Sequence, residues 1–101
     1  MKPPVFTGTC TALITPFRTT GSIDYSAFAK QIDRQIESGI DALCVCGTTG
    51  ESSTLTVQEH IHLVDFCVSH VAGRCPVIAG SGSNDTAAAL YLCKHAQESG
   101  A

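Results

Sequence analysis

The stretch Ala42-Leu43-Cys44-Val45-Cys46-Gly47-Thr48-Thr49-Gly50-Glu51-Ser52-Ser53-Thr54 (ALCVCGTTGESST) holds the clearest strand-and-turn pattern of the chain. Its first five residues, Ala42–Cys46, are apolar at every position. They are too few for a helix and too uniformly apolar for a strand with one solvated face, so they read as a parallel strand covered on both sides. Glycines and hydroxyls follow, which are turn residues. Thr56 and Glu59 then stand at capping-box spacing before a helix over Val57–Ala72. Ile61, Val64 and Val68 form its apolar stripe, and Gly73 follows its end. One strand, one turn and one capped helix are therefore legible in a single pass.

The same unit recurs on both sides. Thr9–Thr15 (TCTALIT), stopped by Pro16, reads as an earlier strand, and Asp24 to Ser38 as its helix. There Phe28, Ile32 and Ile36 make one stripe, Asp24 caps the start and Gly39 is placed at C′. Pro76–Ala79 (PVIA) opens a third strand, with Pro at its first position, where a missing N–H matters least. A third helix is expected from about Asp85 to Ser99, capped by Asn84 or Asp85, with Ala89, Leu90, Cys93 and Ala96 facing inward and Gly100 after it. The period is about 33 residues, which fits right-handed βαβ units and a parallel sheet. The fold class is α/β. Two architectures use such units, the open doubly wound sheet and the closed (β/α)8 TIM barrel.

A closed barrel takes roughly 250 residues and eight units. The 101 residues here carry three units. Three strands with three helices leave two unpaired edges. Residues 1–101 are therefore expected to be the N-terminal part of something longer. A small complete three-layer module is the other reading.

Composition narrows the function classes. The apolar fraction of 44% and charged fraction of 15% are those of a globular chain rather than a disordered one. A net charge of −3 argues against nucleic acid as partner. No apolar run approaches the roughly 18 residues of a membrane span, and MKPPVFTGTC lacks the apolar core of a signal peptide. A cytoplasmic protein is expected, with no membrane partner. Of the six cysteines, most lie within apolar runs, where a reduced thiol packs as a small hydrophobe. Cys44 and Cys46, two apart on the second strand, are expected to share a face. No CxxC pair accompanies them, so no metal site is expected.

In parallel α/β folds, sites lie beyond the C-terminal ends of the strands. Three segments qualify: Pro16-Phe17-Arg18, Gly47–Thr54, and Gly80-Ser81-Gly82-Ser83-Asn84. The second is the most suggestive. Its glycines permit tight turns and close approach of a ligand, its N–H groups can hold a carboxylate or phosphate, and its threonines can relay a proton. A plain turn rich in turn residues explains the same composition equally well. GSGSND lacks the third glycine of a dinucleotide fingerprint, and no phosphate loop or nucleophile elbow is present. His60 and His62 are two apart on a helix and point to different faces. His62, His70 and His95 read as surface histidines, while His60 lies close to the hydroxyl-rich loop.

Thr7-Gly8 through Thr15-Pro16-Phe17, then GTTGES (Gly47–Ser52) with Thr54-Leu55, then PVIAGSG (Pro76–Gly82) with Asn84, resemble the 4-hydroxy-tetrahydrodipicolinate synthase (dihydrodipicolinate synthase) family. The resemblance covers nearly the whole chain in order and implies that residues 1–101 are the N-terminal part of a single (β/α)8 TIM-barrel domain, about three-eighths of it and incomplete in this chain. The related N-acetylneuraminate lyases usually carry Ser at the position of Thr48. They are the alternative, beside a small non-catalytic anion-binding α/β module.

The resemblance implies a pyruvate-dependent lyase of lysine (diaminopimelate) biosynthesis. A lysine forms a Schiff base with pyruvate, whose enamine attacks aspartate semialdehyde, and no further cofactor is expected. It implies that Thr49 holds the pyruvate carboxylate, that Thr48 sits in a proton relay between two tyrosines, and that Gly47 and Gly50 shape the loop, with Glu51 in structural support. It also implies a homo-oligomer, commonly a tetramer. The family's lysine lies on a later strand. Lys2, Lys30 and Lys94 are the only lysines here, none at a strand's C-terminal end. Tyr25 and Tyr91 are on predicted helices and read as packing residues. The 101-residue chain alone is therefore expected to be inactive. Ser52, Ser53, His60 and Asn84 match the regulatory site at which some members bind lysine. Val57 and Ala88 stand where sensitive members carry His and Glu, so weak or absent lysine inhibition is expected.

Overall fold

Strands and helices alternate through residues 2–101, which the computed structural model describes. In order they are β1 (Cys10–Ala12), α1 (Tyr25–Glu37), β2 (Ala42–Val45), a 3-10 turn (Ser52–Thr54), α2 (Val57–Val71), β3 (Val77–Ala79) and α3 (Thr86–Ser99). The strands are parallel in the order β1-β2-β3, with Ala12 opposite Cys44 and Cys44 opposite Ile78. The parallel α/β reading is borne out. So are the element boundaries, apart from strands that are shorter than their apolar runs.

The caps act as their residue types demand. Asp24 accepts from the Ala27 N–H at 3.0 Å, and Asp85 from the Ala87 N–H at 3.1 Å. At α2 both halves of the capping box form: Thr56 Oγ1 accepts from the Glu59 N–H at 3.1 Å and Glu59 Oε1 from the Thr56 N–H at 2.8 Å. A cap of this kind is worth about 1 kcal/mol. It fixes where the hydroxyl-rich segment ends and α2 begins.

The core lies between the sheet and the helices. Phe28 and Ile32 of α1, Leu43 and Val45 of β2, and Leu63, Val64, Cys67 and Val71 of α2 are buried in it, with Leu13 beside them. The other sheet face differs from expectation. Toward the strands' C-terminal ends it carries Ala12, Cys44 and Ile78 in register, and Ile78 is exposed, as is Ile14 beyond β1. Among the described residues, no second layer covers that face, because all the tightly packed helix residues lie on the Leu43 and Val45 side.

Three further expectations are corrected. On α3, Leu90 is 68% exposed and Cys93 is exposed, while Leu92 is the buried residue. α3 lies against α2, so the stripe used is Ala88, Leu92 and Ala96, one helix turn apart. Tyr91, expected to pack, is likewise exposed. Cys44 and Cys46 do not share a face: β2 ends at Val45, and Cys46 has left-handed backbone with φ +58°. The strand alternation stops there, and the Cys46 thiol reaches the His60 carbonyl of α2 instead.

Candidate functional site

The turn after β2 is bracketed by left-handed residues that are not glycine, Cys46 at φ +58° and Glu51 at φ +59°. Each such residue costs roughly 1–2 kcal/mol and persists only where its surroundings hold it. Here they do. The Glu51 N–H donates to the Thr48 carbonyl at 2.9 Å and the Ser52 N–H to the Gly47 carbonyl at 3.4 Å. The Glu51 carbonyl receives the Thr54 N–H at 2.9 Å and the Thr54 hydroxyl at 2.8 Å. Glu51's structural support thus comes from its backbone, and its side chain is exposed.

Gly50 is buried and wedged beneath the turn. A Cβ there would lie 3.1 Å from the Leu13 carbonyl and 3.3 Å from Thr15 Oγ1. Thr15, itself buried, donates its hydroxyl to the Gly50 carbonyl at 2.7 Å. Thr48 and Thr49 are exposed above this anchored base. Gly47, Thr48, Thr49 and Gly50 are therefore brought into one tight turn at the C-terminal end of a parallel strand. A turn of this composition offers N–H and hydroxyl donors to a small anion.

The end of β3 is packed against the start of that turn. The Gly80 N–H donates to the Val45 carbonyl at 2.8 Å, and a Cβ on Gly80 would run into the Cys46 carbonyl. His60, buried on α2, lies with Nε2 2.6 Å from the Gly80 carbonyl. A carbonyl can only accept, so Nε2 carries the proton. His62 is exposed, as the different-faces reading requires.

Beside the turn lies a groove of about 440 Å³. Ser52, Ser53, His60 and Asn84 all line it, together with Val57 and Ala88. The structure brings these four residues together in one groove, which Thr48 and Thr49 do not line. Asp85 is the one charged residue in the lining, and its carboxylate is engaged in capping α3.

Other candidates lie elsewhere. Pro16-Phe17-Arg18 enters a small hairpin, with the Arg18 N–H on the Ser22 carbonyl at 2.7 Å and the Asp24 N–H on the Pro16 carbonyl at 2.9 Å. Lys30 and Lys94 are on α1 and α3. Tyr25 packs against Phe66 with ring centres 5.0 Å apart. His70 and Arg74 both meet Asp33 Oδ1, at 2.9 and 3.0 Å, and the Arg74 guanidinium chiefly holds that carboxyl below its usual value. His95 pairs with Asp65 at 2.9 Å. The Asp33–His70 and Asp65–His95 pairs join successive helices, Arg74 reaches Asp33 from just beyond α2, and none of them lies at the C-terminal end of a strand. All six cysteines are free thiols, and burial pushes Cys46 and Cys67 up to about 12, so neither is a thiolate nucleophile. Among the described residues, no cluster of three or more His, Cys, Asp or Glu could hold a metal ion. No helix among them is long and apolar enough to cross a membrane.

Thr15 is the site residue that the sequence does not announce. Its one signal is a hydroxyl at the end of the Thr9–Thr15 run, directly before Pro16.

Comparison with known proteins places this geometry. Residues 5–101 match the model of the dihydrodipicolinate synthetase family. The 4-hydroxy-tetrahydrodipicolinate synthase of Sphingopyxis alaskensis is 53% identical over 97 residues, covering 96% of this chain and 33% of that protein. Among solved structures, dihydrodipicolinate synthase from Aquifex aeolicus superposes with a TM-score of 0.90 at 50% identity, covering 93% of this chain and 32% of that one. The chloride-inhibited dihydrodipicolinate synthase from Acinetobacter baumannii, complexed with pyruvate, gives 0.89 at 36% identity, covering 93% and 32%. The chain thus spans about a third of the length of the relatives it matches, and its three βα units are an N-terminal portion of a TIM-barrel fold. By its sequence and its fold, the chain belongs to the dihydrodipicolinate synthetase family.

Proposed function

We propose that the chain supplies the keto-acid cradle of a 4-hydroxy-tetrahydrodipicolinate synthase, as the N-terminal part of a single barrel domain in a cytoplasmic homo-oligomer, a tetramer when complete. Thr49 holds the pyruvate carboxylate through its hydroxyl and N–H. Thr48 passes a proton as the reaction proceeds. Gly47 and Gly50 let the backbone turn tightly enough to present both. The observation that carries this reading is a buried, wedged Gly50 beneath exposed Thr48 and Thr49 at a strand's C-terminal end, in a chain of this family. The pyruvate complex of the Acinetobacter baumannii relative supports the choice of ligand.

In the complete enzyme, a lysine amine condenses with the keto carbon of pyruvate and water leaves. Loss of a methyl proton gives the enamine, whose carbon attacks the aldehyde carbon of aspartate semialdehyde. Lys2, Lys30 and Lys94 cannot play that part, since none stands at a strand's C-terminal end. The 101-residue chain binds the carboxylate and performs no condensation. The neighbouring groove of Ser52, Ser53, His60 and Asn84 is the regulatory site, and it takes lysine weakly. Val57 and Ala88 give it no partner for an ammonium group, and Asp85 is occupied by its cap.

Titration of the isotopically labelled chain with pyruvate tests the cradle. The amide resonances of Thr48 and Thr49 are expected to move, and borohydride is expected to trap no adduct by mass. A covalent adduct, or shifts confined to the Ser52 and Asn84 groove, would contradict the assignment.

A further inference from the structure

Thr15 is a buried polar side chain, 4% exposed, at the end of the Thr9–Thr15 run. Its hydroxyl does not serve that run. It crosses 35 residues of sequence to the carbonyl of Gly50 at 2.7 Å, the last residue of the Gly47–Gly50 turn. The same Gly50 rests on the Leu13 carbonyl, so the segment just after β1 meets the turn with a backbone surface and one directed hydroxyl. That hydrogen bond lies between the two left-handed residues, Cys46 and Glu51, neither of which has glycine's freedom at positive φ. Without a partner, the buried Gly50 carbonyl would turn toward water and draw the peptide into Glu51 with it. The Glu51 and Ser52 N–H groups that close the turn on Thr48 and Gly47 would then lose alignment.

We propose that Thr15 is a positioning residue for the keto-acid cradle. By fixing the Gly50 carbonyl from below, it holds the Thr48–Thr49 peptide in the orientation that receives the carboxylate. This rests on the cradle reading given above. Thr15 touches no ligand and takes no proton. Its chemistry is the hydroxyl itself, so shape alone cannot replace it.

Three forms of the chain test it: the natural sequence, Thr15→Val, which keeps the shape and removes the hydroxyl, and Thr15→Ser, which keeps the hydroxyl. Amide exchange at Glu51 and Ser52 is read beside exchange in α1 and α2, and pyruvate affinity is read from the Thr48 and Thr49 shifts. In Thr15→Val, exchange at Glu51 and Ser52 rises about tenfold, the size expected from one buried hydrogen bond, and pyruvate affinity falls by a similar factor. The helices exchange as before, and Thr15→Ser restores both readings. Unchanged exchange at Glu51 and Ser52 in Thr15→Val overturns the proposal. So does a loss of protection throughout the helices in both variants, which would make the residue a general support of the fold. If the natural chain binds no pyruvate while Thr15→Val still loosens the turn alone, the cradle reading fails and the anchoring role stands.

Discussion

The turns that follow β2 and β3 are written in the same residue types, glycine and hydroxyls, and are held in different ways. The first, Gly47–Gly50, closes on itself through the Glu51 and Ser52 N–H groups and is pinned by Thr15, three residues beyond the neighbouring strand β1. The second is fixed at its root, where Gly80 meets the Val45 and Cys46 carbonyls and His60 holds its own carbonyl. Beyond Gly80 it opens: Gly82, Ser83 and Asn84 are exposed and form one wall of the groove. A turn locked at both ends suits a cradle that must present two adjacent donors without adjustment. A turn locked only at its root suits the wall of a binding groove.

Substituting the two glycines of the second turn tests that contrast most strongly. Gly80→Ala drives a Cβ into the Cys46 carbonyl and is expected to destabilise the chain by about 2–3 kcal/mol, as overpacking against backbone does. Gly82→Ala meets nothing within 4 Å and should stay within about 0.5 kcal/mol. Urea unfolding of the two variants gives both numbers, and equal losses would erase the distinction between root and wall.

A second test sharpens the division between cradle and groove. Val57→His with Ala88→Glu supplies the groove with the partner for an ammonium group that it lacks. Lysine affinity, read by titration, is expected to rise about tenfold, the size of one charge-assisted pair. Pyruvate shifts at Thr48 and Thr49 should be unchanged. If lysine then competes with pyruvate for the same residues, the two sites are one.

The smallest effect lies away from both turns. Arg74 lowers the Asp33 carboxyl, so Asp33 contributes stability that is present above the ordinary carboxylate value near 4 and is lost as pH falls through its lower folded value. Asp33→Asn removes this contribution. The acid limb of a stability profile below about pH 4 should flatten slightly, with no change in the pyruvate response of Thr48 and Thr49. A steeper acid limb would show that the pairing with His70 and Arg74 does not stabilise the fold.

What could be read from the sequence was whatever is local. The three caps at Asp24, Thr56 and Asp85 are bonds between a side chain and a backbone N–H two or three residues on, so spacing alone reveals them. The strands announced themselves as apolar runs between turn residues. The face of α3 did not, because Ala87, Ala88 and Ala89 let several stripes look apolar, and contact with α2 selects the one with Leu92. The left-handed Cys46 carries no mark either, since its conformation is imposed by packing against His60 and Gly80. The candidate cradle was visible as GTTG. Its anchor was not, because Thr15 and Gly50 meet only once β1 lies beside β2.

Thr48 and Thr49, not the groove beside them, are proposed to receive a small keto acid. The most direct measurement is a crystal structure of the chain grown with pyruvate. The predicted result is its carboxylate within hydrogen-bond distance, about 3 Å, of the Thr49 hydroxyl and N–H. A carboxylate seated among Ser52, His60 and Asn84, with the Thr48–Thr49 turn empty, would contradict it.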